Sequence, residues 1–128
     1  MHKLLFAALV ISMLTACSSS PPEELVKINA LHIPVVQNTK SSAAPEELAT
    51  LHQENKQIID NLTLGLKTDY LLDVKTADIF DDHSQVHQVY LSLSRLDQIR
   101  MMNNYYFKEQ NLHGLQQVNT SLAPLLRG

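Results

Sequence analysis

Two histidines four residues apart form the pair in this sequence that best fits metal binding. His83 and His87 stand in the run DDHSQVH, and on a helix this spacing places both imidazoles on one side. Such a pair is able to bind zinc. The zinc-protease motif H-E-x-x-H has a glutamate where this chain has Ser84, and the spacing implies no third strong ligand. The pattern therefore favours a solvated helix start, with aspartate and serine as capping residues, over a metal site.

Other residue patterns that carry catalysis are missing from the sequence. No G-x-S-x-G turn presents a nucleophilic serine, and no glycine-rich loop would hold a phosphate. Three aspartates cluster at Asp78, Asp81 and Asp82, in a segment that reads as a polar turn. We therefore expect a protein that is not an enzyme and that holds no cofactor.

The only cysteine, Cys17, follows an apolar segment near the N-terminus. Lys3 gives the chain a basic start, and residues 4–14 contain no charge. A basic start before an apolar run of roughly 7–15 residues is typical of a secretory signal. A stable membrane span needs roughly 20 apolar residues, so this run is too short to be one.

The residues L-T-A-C at positions 14–17 resemble the lipobox of bacterial lipoproteins. The resemblance covers residues 1–20 only, and the remainder resembles no family. It implies a signal peptide of residues 1–16, cleavage before Cys17 and a diacylglycerol on the Cys17 thiol. Position 18 is serine and not aspartate, which under the enteric-type sorting rule implies the outer membrane. We therefore expect a lipid anchor in the outer membrane, with the domain facing the periplasm.

Composition limits the remaining chain to one small domain, because its length suits one domain and not two. The sequence has 10 basic and 13 acidic residues, for a net charge of −3. A mildly acidic protein is a poor candidate for binding nucleic acid. Its three glycines are too few for a many-stranded sandwich or barrel, which needs a turn roughly every 8–12 residues.

Two segments before the predicted domain lack helical periodicity. Residues 17–24, CSSSPPEE, predict a lipidated and solvated tether. Residues 25–44 predict an extended arm, with a short edge strand as the alternative, followed by a linker. Leu31, Ile33 and Val35 alternate with smaller or polar neighbours, and Pro34 excludes a central strand position. Because an apolar arm in solution would be an exposed sticky segment, we expect it to dock on its own domain or on a partner.

Residues 45–128 predict a helical domain. Pro45 suits a first helical turn, where its missing N–H costs nothing. The apolar residues that follow recur at the three-and-four spacing of an amphipathic helix of about 20 residues. That helix ends at Gly65 or continues through Tyr70 and Val74.

The second half of the domain repeats the helical pattern. Residues 69–80 predict a short helix, and a long helix begins near Ser84. Gly114 suits a left-handed C-cap just past its end, and an apolar segment over residues 115–125 follows. The sequence therefore predicts an all-α fold, a small three- to four-helix bundle preceded by an extended N-terminal arm.

Asn55 interrupts the apolar side of the first long helix. A polar residue at such a position can set register or oligomeric state, as in coiled coils. The alternative, which we favour from the sequence, is a side chain at a rim or beside a neighbouring polar group.

The segment RMMNNYYFKEQN, residues 100–111, carries the strongest signal for a binding surface. Its three consecutive aromatic residues span about 200° of a helix, so they cannot all face one core. Aromatic, methionine and arginine side chains are enriched at protein interfaces. A helix wedged between two neighbours, with both sides buried, is the alternative. The residues predicted to contact a partner are Arg100, Tyr105, Tyr106, Phe107, Leu31 and Ile33.

These features predict a non-enzymatic, lipid-anchored outer-membrane lipoprotein that faces the periplasm. Its helical domain would bind another envelope protein, as a chaperone, a pilotin-like factor or an accessory subunit of a secretion, pilus or conjugation complex. One alternative is a structural envelope lipoprotein that self-associates into a homo-oligomer. A less favoured one is a metal-binding protein that uses His83 and His87.

Overall fold

The computed structural model of the chain describes residues 22–37, 40–72, 74 and 85–126. The helices in these ranges are α1 (Glu23–Asn29), α2 (Pro45–Tyr70), α3 (Gln85–Lys108) and α4 (Leu112–Leu122), followed by a 3-10 turn at Ala123–Leu126. These ranges contain no strand, so the predicted all-α fold is confirmed. None of the helices in this part of the chain combines the length and apolarity needed to cross a bilayer.

Helices α2, α3 and α4 pack against one another in all three pairs, and α1 packs on α3 and on the 3-10 turn. The core between them consists of aliphatic side chains and one tyrosine. Its members are Leu25, Ile28, Leu48, Ile59, Leu66, Val89, Leu96, Ile99, Tyr106, Leu115, Val118 and Leu122. Full burial of one aliphatic side chain contributes about 1.5–3 kcal/mol, so this core is the main source of stability.

Helix α2 continues past Gly65 and ends at Tyr70, so it includes Gly65 but does not reach Val74, to which the longer alternative extended. It begins with Pro45 in the first turn, as predicted, and its 26 residues span about 39 Å. A Cβ added at Gly65 would have no neighbour within 4 Å. Glycine inside a helix costs about 1 kcal/mol relative to alanine. The fully buried Leu66 next to it contributes more than that, so the helix does not end there.

The N-terminal helix α1 corrects the predicted boundary between tether and arm. The sequence predicts a solvated tether over residues 17–24 and an extended arm and linker over residues 25–44, whereas the chain is helical from residue 23 to residue 29. Leu25 and Ile28, three positions apart, are fully buried. A helix of seven residues is marginal in isolation, so its packing on α3 stabilises it and the local sequence gives only a weak signal.

The arm, residues 31–37, is extended as predicted and lies on the chain's own body. Leu31, Ile33 and Val36 are partly buried and pack against the core, and Pro34 is buried. Of the two docking sites considered from the sequence, the structure therefore shows the intramolecular one.

The left-handed residue after α3 is Gln110, with φ of 56°, and not Gly114 as predicted. The Asn111 N–H donates to the Tyr106 carbonyl at 2.8 Å, and the Gln110 N–H donates to the Phe107 carbonyl at 3.1 Å. This pair of hydrogen bonds is the Schellman pattern that ends many helices. Gly114 lies inside α4, where a Cβ would come within 2.3 Å of Tyr106 Cγ. It is needed for a close approach between helices and not for a turn.

Candidate partner-binding surface

The three consecutive aromatic residues near the end of α3 point in different directions. Tyr106 is 1% exposed, whereas Tyr105 is 43% and Phe107 is 37% exposed. Successive helical residues are 100° apart, so burying the middle ring turns both neighbours away from the core. The prediction that at least one ring is exposed is confirmed, and the alternative of a helix buried on both sides is wrong.

The Phe107 side chain packs against His52 of α2. Its ring stacks on the imidazole of His52, with centroids 4.2 Å apart and planes 11° apart. The His52 Nε2 and the Asn104 Oδ1 are 2.9 Å apart, so the tautomer with a proton on Nε2 donates to that amide oxygen. The stack holds Phe107 in one position while part of its ring stays accessible.

Arg100 is held between two carboxylates. Its guanidinium pairs with Asp60 of α2 and lies 3.7 Å from Asp97, three residues earlier on α3. Exposed ion pairs of this kind contribute only about 0–1 kcal/mol. The positive charge of Arg100 at the α2–α3 edge is therefore balanced by nearby carboxylates.

Four exposed apolar side chains lie along one side of α3. They are Tyr90, Leu91, Met101 and Tyr105, and we call this set the outer face. Tyr90 and Met101 are eleven residues apart, which is about three helical turns and places them on the same side. Met101 is 69% exposed. The outer face spans about 22 Å from Tyr90 to Tyr105, with the exposed Ser94 and Gln98 between its ends.

Sequence analysis missed Tyr90 and Leu91 as surface candidates. The sequence does contain a signal for them. By helical spacing, neither residue lies on the side of α3 that carries Val89 and Leu96. Val89 and Leu96 are both fully buried, and helical phase alone then places the other two outside the core.

Two of the predicted contact residues, Leu31 and Ile33, lie with the arm and away from the outer face. They pack against the core. The hydroxyl of Tyr106 binds the same segment, because it donates to the Pro34 carbonyl at 2.6 Å and accepts from the Val36 N–H at 3.0 Å. The predicted set therefore divides into surface residues on α3 and residues that join the arm to the body.

Asn55 belongs to a buried amide cluster at the junction of α2, α3 and α4. Its amide nitrogen donates to Asn103 Oδ1 at 2.9 Å and to the Leu115 carbonyl at 3.0 Å. Its oxygen accepts from Asn119 Nδ2 at 3.0 Å. The cluster is completed by a bond from Asn103 Nδ2 to the His52 carbonyl at 3.1 Å. Of the favoured expectation, a rim position or a neighbouring polar group, the second is confirmed, and the buried Asn55 does not lie at a rim.

Several predicted residues lie outside the described part of the chain. They include Cys17, residues 1–21 of the predicted signal peptide and tether, most of the predicted helix at 69–80, and His83. His87 is partly buried in the first turn of α3. Within the described ranges, no three His, Cys, Asp or Glu side chains are grouped so that they could hold a metal ion.

Tyr70, at the end of α2, is the site of a pKa shift. Burial raises the pKa of its hydroxyl above the ordinary value of 10.0, and the negative charge of Glu24 raises it further. The hydroxyl lies 3.4 Å from Glu24 Oε2 as a donor. This contact joins α1 to the end of α2.

Comparisons of the chain with protein-family models, with curated proteins and with solved structures gave no match. Function is therefore inferred from the residues and their arrangement.

Proposed function

We propose that this chain is a non-enzymatic lipoprotein, anchored in the outer membrane through Cys17, that faces the periplasm and binds another envelope protein. It would serve a secretion, pilus or conjugation complex as a chaperone, a pilotin-like factor or an accessory subunit. The observation that carries the proposal is the L-T-A-C sequence at the end of a signal-like segment. The exposed apolar outer face of α3 supports the binding role.

The proposed anchor is strong because several acyl chains act together. Each buried methylene contributes about 0.8 kcal/mol, and one chain alone gives only marginal binding. Since α1 begins at Glu23, only residues 18–22 separate the lipid from the first helix. At about 3.5 Å per residue, this tether reaches at most about 17 Å. The helical body would therefore stay close to the membrane.

Tethering supports the use of a modest binding surface. A short linker raises the effective concentration of a domain near its target to the millimolar range, so a small apolar patch is sufficient for useful occupancy. On the outer face, tyrosine, leucine and methionine side chains supply apolar contacts at both ends, and Ser94 and Gln98 supply polar groups between them. Tyrosine and methionine are enriched at protein interfaces.

The anchor is tested by growing cells with radiolabelled palmitate. We expect label on the wild-type product and none on a Cys17→Ser variant, with the mature wild-type chain starting at residue 17. An unlabelled wild-type product, or a mature chain that starts at another residue, would contradict the proposal.

The binding role is tested by photocrosslinking in intact cells. A photoreactive amino acid at position 101 should give a discrete adduct with another envelope protein. The matched control is position 64 on α2, because Leu64 is a similarly exposed apolar residue, at 65%, outside the outer face. Equal adducts from both positions, or none from position 101, would contradict the binding role. An adduct of two copies of this chain would instead support the self-associating alternative.

A further inference from the structure

The arm is held by hydrogen bonds from the body to its main chain. The Tyr106 hydroxyl bonds the Pro34 carbonyl and the Val36 N–H, and Asn111 Nδ2 donates to the Gln37 carbonyl at 3.0 Å. These bonds use atoms that every peptide possesses, apart from the N–H that proline lacks. The body therefore has the groups needed to hold an extended backbone of another sequence.

The groups that hold the arm are positioned by the α3–α4 junction and not by the arm itself. The ring of Tyr106 lies against Gly114, where only a residue without a Cβ leaves room. The Oδ1 of Asn111 accepts from the Gly114 N–H at 3.0 Å, which leaves its Nδ2 directed at Gln37. A site whose groups are fixed before the ligand arrives binds with a smaller entropic cost.

Arm side chains supply selectivity because most of them are at least partly covered by the body. Leu31, Ile33 and Val36 are partly buried against the core, whereas Val35 is 80% exposed. Pro34 is buried, and a proline also holds the residue before it in an extended conformation. The cleft therefore accepts an extended segment with mostly apolar side chains and a proline near its centre.

A pocket of about 590 Å³ opens beside the end of the arm and the start of α4, and Val36 and Gln37 of the arm line part of it. Its lining includes Gln37, Asn111, Leu112, His113 and Gln116. An occupant with larger side chains than Val36 and Gln37 at these positions would make additional contacts with Leu112 and Gln116.

We propose that the cleft beneath residues 31–37 is a binding site for an extended, apolar, proline-containing segment of a partner protein, and that the arm occupies it until the partner displaces it. Main-chain recognition combined with pockets for alternate side chains is a common way of binding peptides. The arm competes intramolecularly at millimolar effective concentration, so a successful partner needs the extra contacts in the adjoining pocket. This inference deepens the proposed function by naming the chemistry of the partner.

The test uses the full chain with Cys17→Ser and Val35→Cys, so that one thiol at an exposed arm position carries a fluorophore. The probe is a synthetic peptide with the sequence of residues 31–37, LHIPVVQ, with blocked ends. We expect about millimolar peptide to release the arm and lower the fluorescence anisotropy. The matched control peptide carries an N-methyl group on the second valine, which removes the N–H that Tyr106 accepts. It should act at least about fivefold more weakly, since a lost hydrogen bond costs about 1 kcal/mol.

Weakening the arm gives a second measurement. With Ile33→Ser in the labelled chain, we expect the plain peptide to bind about tenfold more tightly, because the competing arm loses an apolar contact that the peptide keeps. Circular dichroism checks that this variant is folded, and the comparison of the two peptides on the parent chain does not depend on it. An arm that stays bound at millimolar peptide, or equal action of both peptides, would overturn the inference.

Two further outcomes separate the possibilities. Release of the arm on raising the protein concentration alone, with a doubled mass in sedimentation, would identify the arm of a second copy as the occupant and overturn the assignment to a partner. Palmitate labelling tests the anchor and outer-face crosslinking tests partner binding, so a failure of the cleft is distinguishable from a failure of the proposed function.

Discussion

The two sides of α3 differ in how completely their side chains are buried and hydrogen-bonded. On the inner side, Asn103 bonds Asn55 and the His52 carbonyl, and Tyr106 bonds two main-chain groups of the arm. On the outer face, Met101 and its apolar neighbours are exposed. The same helix therefore carries a closed, hydrogen-bonded side and an open, apolar side.

This difference indicates which side sets the stability of the fold and which is available for binding. A buried polar group that loses its partner carries the full desolvation penalty, so changes on the inner side should strongly lower the unfolding free energy. Changes to exposed side chains usually alter stability by about 0.5 kcal/mol or less. The outer face is therefore free to serve a partner without affecting the fold.

The largest effect is expected from Asn55→Ala on the inner side. The change removes three hydrogen bonds, so the Leu115 carbonyl and the amides of Asn103 and Asn119 each lose a partner. We therefore expect a loss of about 3–4 kcal/mol in unfolding free energy. Urea denaturation followed by circular dichroism measures it. Asn61→Ala, at an exposed position of the same helix, is the control and should change little. A loss below about 1 kcal/mol would show that the amide cluster is not a main contributor to stability.

The next largest effect is expected from Gly114→Ala. The new Cβ would meet the Tyr106 ring at 2.3 Å, and overpacking of this kind costs about 2–3 kcal/mol. The control is Gly65→Ala, where a Cβ meets open space and helix propensity predicts a gain of up to about 1 kcal/mol. Urea denaturation should therefore show a lower unfolding free energy for Gly114→Ala and a higher one for Gly65→Ala. If both changes raised the unfolding free energy, the contact with Tyr106 would relax easily.

A smaller effect on stability is expected from Met101→Ser on the outer face. Its unfolding free energy should stay within about 0.5 kcal/mol of the wild type, while affinity for the partner captured in cells falls about tenfold. Leu64→Ser is the control, and it should leave both quantities nearly unchanged. If Met101→Ser destabilised the fold while partner capture stayed intact, the two sides of α3 would not divide stability from binding.

The smallest effect is expected at Tyr70, where α1 meets the end of α2. Because burial, aided by the charge of Glu24, raises the pKa of its hydroxyl in the folded chain, the folded state retains this proton above pH 10 while the unfolded state loses it. Its contribution is complete below about pH 10 and is lost as pH rises through the folded pKa. Tyr70→Phe should therefore show a slightly shallower loss of stability between pH 9 and pH 11, measured by urea denaturation. An unchanged pH profile would count against this contact.

Helical periodicity was sufficient to predict the class of fold and the start of both long helices. Pro45 in the first turn of α2, and the predicted start near Ser84 beside the observed Gln85, follow from local rules of capping and spacing. The exposure of rings beside Tyr106 follows in the same way, since three consecutive residues cannot share one side of a helix.

The polar and glycine positions were harder to predict because their roles depend on other helices. Asn55 is buried because Asn103 and Asn119 supply matching groups from α3 and α4. Gly114 is required by a ring eight residues earlier in the chain, while Gln110 takes the left-handed position that a glycine was expected to fill. No local pattern distinguishes these cases from a rim asparagine or a capping glycine.

The sequence alone was enough to predict a helical body after an N-terminal signal-like segment, because helix periodicity and the lipobox resemblance depend only on residues that are near one another in the chain. Contacts between distant segments decided that residues 23–29 are helical, that the arm lies on its own body, and that one side of α3 stays open. A short helix and an extended arm have little stability in isolation, so only the surfaces against which they pack determine their conformations.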